Sequence, residues 1–167
     1  MKAFLILEDG TVFEGTSIGS QKEVISEIVF NTSMTGYLEV MTDPSYAGQA
    51  VVMTYPLIGN YGITPDAESK RPWVDGYIVR ELSRMPSNFR CEGTIQDFLK
   101  ENDIPGIAGI DTRALTKILR DKGTMNGMIT TDEQYELEKV LPRLKEYQTG
   151  NVVDKVTCDE KSVLNGK

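Results

Sequence analysis

The chain has 167 residues, of which 18 are Lys or Arg and 25 are Asp or Glu, so its formal net charge is -7. It contains two Cys and no His, which excludes Ser-His-Asp and Cys-His catalysis and His-ligated metal sites within this sequence. The acidic balance argues against nucleic-acid binding, and no apolar run approaches the ~20 residues of a membrane span.

The first half of the chain predicts strands joined by short turns. An apolar run at residues 3–7 and an alternating run at 11–15 flank Asp9 and Gly10, a strong turn dipeptide, so they predict an opening β-hairpin. Three further strands and a short helix are predicted from β-branched runs and apolar spacing. The strands cover residues 23–30, 49–55 and 74–82, and the helix lies near 34–41.

Two helices in the second half have recognisable caps. Thr94 and Asp97 form a capping box that predicts a helix to about Asn102. Asp111 is a good N-cap for a helix whose apolar residues recur at helical spacing, and Gly123 predicts its end.

Asp132 predicts the cap of a third helix over residues 133–147, in which Pro142 introduces a kink or an end. Strands are predicted at 104–110 and 125–130. Because strands dominate the first half and helices the second, the pattern predicts a mixed α/β (α+β) domain of layered β/β/α architecture with an opening β-hairpin.

The segment 30–46 carries more hydroxyls, amides and glycines than a plain connection needs. Polar loops on a rigid sheet are where binding sites usually lie. Asn31 is, however, a good helix-capping residue, and Asp43, Pro44 and Ser45 form a good turn sequence. From the residues alone, the structural interpretation is favoured and the functional one stays open.

Three other features also admit two interpretations. The glycine-rich stretch 59–62 lacks a P-loop lysine, which favours a turn over a phosphate cradle. Arg80, Arg84 and Arg90 could clamp an acid on a partner or form solvated surface. Cys91 lies next to a cation, but without a His base a nucleophilic role is not favoured.

Several long motifs resemble the N-terminal domain of the small, glutamine-hydrolysing chain of carbamoyl-phosphate synthetase. The first three are FNTSMTGY at residues 30–37, TDPSY at 42–46 and TYPLIGNYG at 54–62. The others are EDGT at 8–11, SNFR at 87–90 and GIDTRALT at 109–116. The resemblance extends to about Thr131, roughly four-fifths of the chain.

This resemblance implies a swivelling β/β/α domain of a heterodimeric, cytoplasmic enzyme. In the family, a second small-chain domain is a class I glutamine amidotransferase with a Cys–His–Glu triad that releases ammonia. The large chain uses ATP, a divalent metal ion and bicarbonate to make carbamoyl phosphate for arginine and pyrimidine biosynthesis. Residues 1–147 then correspond to the N-terminal domain, and 148–167 to a tail or linker toward the amidotransferase domain.

The resemblance also assigns one site residue. The family's serine that contacts bound glutamine across the domain boundary corresponds to Ser45. No catalytic residue, metal ligand or cofactor is expected in this chain, and alone it is expected to be inactive, because Cys91 and Cys158 lie outside the family's nucleophile motif. Two alternatives remain: a pure protein-interaction module for the large chain, or a free-standing small-molecule-binding domain.

The cysteine content suits a reducing compartment. The two Cys show no disulfide-framework spacing, which favours the cytoplasm. The partners that the resemblance implies are the large chain, the chain's own amidotransferase domain and glutamine, and the composition predicts neither nucleic acid nor membrane as a partner.

Overall fold

Within residues 1–158, which the computed structural model describes, seven strands close into a barrel and two more form a separate small sheet. The strands are β1 (Lys2–Leu7), β2 (Val12–Ser17), β3 (Val24–Asn31), β4 (Gln49–Met53), β5 (Leu57–Ile58), β6 (Gly76–Val79), β7 (Glu81–Leu82), β8 (Gly106–Ala108) and β9 (Met125–Thr130). The helices are α1 (Tyr37–Thr42), α2 (Ile95–Glu101), α3 (Thr112–Lys122), α4 (Leu137–Glu146) and α5 (Val153–Val156), with a 3-10 turn at Pro44–Tyr46. Residues 159–167, the end of the predicted linker, lie outside the described part.

The barrel order is β1-β2-β8-β6-β4-β3-β9, and β9 pairs back onto β1. The predicted opening hairpin is confirmed: β1 and β2 are antiparallel, and Leu5 lies opposite Phe13. In its turn, Asp9 accepts a hydrogen bond from the Thr11 amide at 2.9 Å, and Gly10 has φ +88°, a conformation that glycine adopts without steric cost.

Strands β3, β4, β6 and β8 are neighbours and run parallel. Their carboxyl ends therefore meet at one end of the barrel, here called the parallel-strand end and marked by Asn31, Thr54, Arg80 and Gly109. Backbone hydrogen bonds join these residues in pairs: Thr54 N donates to Asn31 O at 3.1 Å, and Gly109 N donates to Arg80 O at 2.8 Å. Helix α3 begins directly after this end.

Strands β4, β6 and β8 are buried on both faces. On β4, Ala50 and Val52 belong to the cluster that fills the barrel, whereas Val51 and Met53 pack in the cluster beneath α1 and α2. Leu115 of α3 joins the barrel cluster. The third cluster joins β1 and β9 to α4 and contains Phe4, Ile6, Met128, Val140 and Leu144. Helices α1, α2 and α4 therefore pack on the outside of the barrel, whereas α3 contributes to its interior. The predicted mixed α/β class is confirmed.

The two predicted helix caps are also confirmed. Thr94 accepts from the Asp97 amide at 3.1 Å at the start of α2. Asp111 accepts from the Ala114 amide at 3.0 Å at the start of α3. Each cap satisfies an amide that the first turn of a helix leaves unpaired.

The third helix begins later than predicted. Asp132 accepts from the Gln134 amide only two residues on, at 2.8 Å, so it forms a local turn, and α4 starts at Leu137. The sequence predicted that Pro142 ends or kinks this helix. It does not end the helix, because it lies inside α4. Pro142 and Glu138 are both exposed, so water can reach the carbonyl that loses its amide partner.

Two other predicted boundaries also shift. The strand predicted over residues 74–82 is divided into β6 and β7, which belong to different sheets. The helix predicted near 34–41 begins at Tyr37, since Gly36 adopts the left-handed conformation with φ +81°.

Gly19 gives a test of the packing between the end of β2 and the chain before β8. An added Cβ would overlap the Ile104 carbonyl oxygen and lie 2.8 Å from the Gly106 nitrogen. We expect Gly19→Ala to lower the free energy of unfolding by about 1–3 kcal/mol, measured by urea denaturation. Gly93→Ala is the matched control, because nothing lies within 4 Å of its added Cβ. Equal stability of the two variants would contradict this packing.

Candidate functional site

The polar segment after β3 is held to the barrel by Asn31. Its side-chain nitrogen donates to the Tyr46 hydroxyl at 2.9 Å, and its side-chain oxygen accepts from the Ser33 amide at 2.8 Å. One amide group therefore ties the end of β3 to the 3-10 turn and also shapes the loop that follows.

Ser45 lies in the middle of this 3-10 turn. Its amide donates to Asp43 Oδ1 at 2.8 Å, and the turn is closed by the Ala47 amide donating to the Pro44 carbonyl at 3.1 Å. The Ser45 side chain is exposed, and its hydroxyl has no hydrogen-bond partner among residues 1–158. The backbone is thus fixed while the hydroxyl remains available to a group that approaches from outside.

Two tyrosines lock the polar segment onto the glycine-rich loop. The rings of Tyr37 and Tyr61 stack with centroids 4.0 Å apart. The Tyr61 hydroxyl accepts from the Gly36 amide at 2.7 Å, and the Tyr37 hydroxyl accepts from the Tyr61 amide at 3.0 Å and donates to the Gly62 carbonyl at 3.0 Å. Each tyrosine therefore satisfies backbone groups of the other's segment.

Burial keeps these phenols protonated. Desolvation raises the pKa of the Tyr37 hydroxyl well above its ordinary value and also raises the pKa of Tyr61. The neighbouring Tyr77 is fully buried, its pKa is raised for the same reason, and its hydroxyl has no hydrogen-bond partner in the described chain. The tyrosines therefore support the loops and cannot act as bases near neutral pH.

The glycine-rich stretch 59–62 forms a turn. The Gly62 amide donates to the Gly59 carbonyl at 3.2 Å, and these glycines have φ +71° and +90°. The Tyr61 amide is bonded to Tyr37. Since the turn and the tyrosine pair already use these two amides, the geometry supports the structural interpretation over a phosphate cradle.

The three arginines considered in the sequence do not form one clamp. Arg90 makes an ion pair with Asp66 at 2.7 Å, whereas Arg80 and Arg84 line a different depression. The Cys91 thiol donates to the Gly93 carbonyl at 3.3 Å. Neither the three arginines nor Cys91 forms a pair of a nucleophile and a base.

Sequence reasoning missed a basic groove at the parallel-strand end. Helix α3 carries Arg113, Lys117 and Arg120, whose spacing of four and three residues puts them on one helix face. With Arg80 they line a groove of about 880 Å³. The helical spacing of the three cations was visible in the sequence, but the position of Arg80 beside them depends on the barrel.

Two kinds of feature are lacking in residues 1–158. No group of three or more Cys, Asp or Glu side chains in this range is arranged to hold a metal ion. Helices that combine the length and the apolar character needed to cross a membrane are also lacking in this range.

The fold and site together define a barrel domain that presents a rigid polar loop and a basic groove and holds no complete catalytic constellation among its described residues. A family model described as carbamoyl-phosphate synthase small chain, CPSase domain, matches residues 5–129. The chain therefore belongs to the carbamoyl-phosphate synthase small-chain family, and the resemblance noted in the sequence is confirmed.

Three relatives named carbamoyl phosphate synthase small chain illustrate the similarity. The protein of Clostridium perfringens (strain 13 / Type A) is 55% identical over 168 residues, which cover 100% of this chain and 48% of the relative. That of Oceanobacillus iheyensis is 57% identical over 86% of this chain and 39% of its own length. The protein of Syntrophotalea carbinolica is 51% identical over 96% of this chain and 43% of its own length. The chain thus spans less than half the length of these relatives.

One solved structure aligns weakly. An aminopeptidase from Aneurinibacillus sp. strain AM-1 matches 77% of this chain and 30% of its own length, with a TM-score of 0.43 and 16% identity. A likeness at this level has no bearing on function.

The tyrosine pair gives a second test. Tyr37→Phe keeps the ring stack but leaves the Tyr61 amide and the Gly62 carbonyl without their partner. We expect the free energy of unfolding to fall by about 1–3 kcal/mol, measured by urea denaturation. Tyr135→Phe is the matched control, because its ring packs on Phe4 with centroids 5.1 Å apart and its hydroxyl has no hydrogen-bond partner among residues 1–158. A Tyr37→Phe variant as stable as that control would contradict the interlocking role.

Proposed function

We propose that this chain is the N-terminal domain of the small subunit of a glutamine-dependent carbamoyl-phosphate synthase. In this proposal it packs on a class I glutamine amidotransferase domain, contributes the Ser45 hydroxyl to the glutamine site, and helps to dock the large chain. Ammonia released from glutamine then passes to the large chain, which makes carbamoyl phosphate for arginine and pyrimidine biosynthesis in the cytoplasm.

The proposed glutamine contact is supported by the fixed backbone and the exposed hydroxyl of Ser45. Asp43 and Pro44 fix its backbone, and its amide is already bonded, so the exposed hydroxyl, rather than the amide, is free to bind a ligand. Such a group adds one neutral hydrogen bond to a ligand held mainly by another domain. That role needs no base, which agrees with the lack of histidine in the sequence.

The proposed domain division places the boundary after α4. Leu144 is the last buried residue of that helix, and Tyr147 ends the proposed domain of residues 1–147. Beyond it, the proposed linker 148–167 is mostly exposed where it is described, although Arg71 donates to the Lys155 carbonyl at 3.2 Å. Few apolar contacts hold this segment, as a connection toward another domain would require.

The chemistry is assigned to other parts of the assembly. Glutamine hydrolysis belongs to the amidotransferase domain, and ATP and a divalent metal ion belong to the large chain. We therefore expect no glutamine hydrolysis by the 167-residue chain alone, and no cofactor bound to it.

The alternative is a pure interaction module for the large chain. One loop favours it: the Phe89 side chain is 97% exposed and Met85 is 82% exposed. Large apolar side chains presented in this way often mark contact surfaces. The two functions are compatible but predict different sensitive residues.

Reconstitution distinguishes these functions. The amidotransferase half of the same small chain is expressed as a separate polypeptide, and glutamine hydrolysis is measured with and without this chain. We expect the added chain to raise activity or to lower the glutamine concentration required, because it completes the glutamine site. The chain alone is the control. No effect, combined with retained binding to the large chain, would leave only the interaction module.

Ser45→Ala tests the assigned contact in the complete synthase. Loss of one neutral hydrogen bond costs about 0.5–1.5 kcal/mol, so we expect the KM for glutamine to rise several-fold while ammonia-dependent synthesis is unchanged. Ser87→Ala, the same change at an exposed serine of a different loop, should leave both activities unaltered. An unchanged KM for glutamine in Ser45→Ala would remove Ser45 from the site.

A further inference from the structure

The basic groove lies where the topology favours binding. Its walls are the chain after β4, with Thr54 and Pro56, and one face of α3, while Arg80 follows β6. The carboxyl ends of parallel strands open a crevice that α/β proteins commonly use for ligands. The groove therefore occupies the end of the barrel that the strands themselves leave open.

The charge of the groove contrasts with that of the whole chain. Four cations line it, and its one acidic lining residue is Asp111, whose Oδ1 already caps α3. Arg120 pairs with Asp121 at 3.1 Å, whereas Arg80, Arg113 and Lys117 have no ion pair among residues 1–158. A net positive surface thus persists on a chain of net charge -7.

The stability of helix α3 does not explain Arg113, although a cation in the last turn, such as Arg120, is favourable. Arg113 is the second residue of α3, where the partial positive charge of the helix N-terminus makes a cation unfavourable. The Ala114 amide needs no further partner, because Asp111 caps it. Arg113 therefore costs the isolated domain electrostatic free energy, which a complementary partner would recover.

The geometry favours a protein partner with carboxylates. All four cationic residues are exposed, whereas small-molecule sites enclose most of their ligand. The net charge of -7 disfavours a polyphosphate backbone. Guanidinium groups pair well with carboxylates in a bidentate manner, and Arg is enriched at protein interfaces. An acidic protein surface is repelled by most of this chain and attracted at the groove.

We propose that the groove lined by Arg80, Arg113, Lys117 and Arg120 is the docking site for an acidic segment of the synthase large chain. This inference rests on the proposed function, which supplies the large chain as the partner. Carboxylates of that segment pair with the exposed guanidinium and ammonium groups, and this pairing sets both the orientation of docking and its salt dependence.

The test is a charge reversal at two groove residues. The double variant R113E/K117E leaves the fold intact, because both side chains are exposed and a carboxylate at position 113 lies in the first turn of α3, where it is favourable. Circular dichroism confirms the fold. The control is K100E/K145E, with the same change in charge at exposed lysines of α2 and α4. The Kd for the purified large chain of the same synthase is measured for each variant at low and high NaCl.

We expect R113E/K117E to weaken binding about tenfold or more and to lose most of its salt dependence, with the control within about twofold of wild type. Equal weakening by both variants would show a general charge effect and would overturn the groove assignment. Tight binding by R113E/K117E would overturn it too, while leaving the proposed docking function standing. Failure of the wild-type chain to bind the large chain would instead contradict the docking function. Comparable affinity of the wild type for a single-stranded RNA oligonucleotide would assign the groove to nucleic acid.

Discussion

Closure of the barrel is the constraint on which the rest of the structure depends. Strand β9 pairs antiparallel with β1 on one side and with β3 on the other, so it removes the two edges that an open sheet would expose. Glycine makes this closure possible at Gly127, where an added Cβ would lie 2.6 Å from the Ile28 side chain inside the barrel. The interior is filled by side chains of several strands and of α3, which leaves the two barrel ends as the places where loops can carry function.

Rigidity at the polar loops follows from side-chain hydrogen bonds, made to backbone groups and to other side chains. The stacked Tyr37–Tyr61 pair joins the segment before α1 to the glycine-rich turn, and Asn31 joins the end of β3 to the 3-10 turn. Because the backbone of Ser45 is held in this way, its hydroxyl is presented at a defined position. A pre-organised contact of this kind suits a domain that completes a site held mainly by a neighbour.

The chain's surface separates two kinds of interaction. A neutral hydroxyl on the Ser45 turn offers a directional hydrogen bond, whereas the basic groove at the parallel-strand end offers long-range attraction to an acidic surface. In the proposed synthase, the first would act on glutamine and the second on the large chain.

The sequence by itself determined the local features of this protein. Helix caps at Thr94 and Asp111 and the hairpin turn at Asp9 and Gly10 depend on groups within a few residues of one another, so their prediction was confirmed. The motifs also identified the family. The later start of α4 was missed because Asp132 can form either a cap or a local turn, and sequence alone does not decide between them.

The tertiary structure decided what depends on distant residues. It showed that the strands close into a barrel, that the Ser45 amide is already bonded, and that Arg80 lies beside the cations of α3. It also gave the motif tyrosines Tyr37 and Tyr61 a structural role through contacts between segments 24 residues apart. These features arise from packing between segments that are far apart along the chain, and periodicity and turn chemistry describe only neighbours.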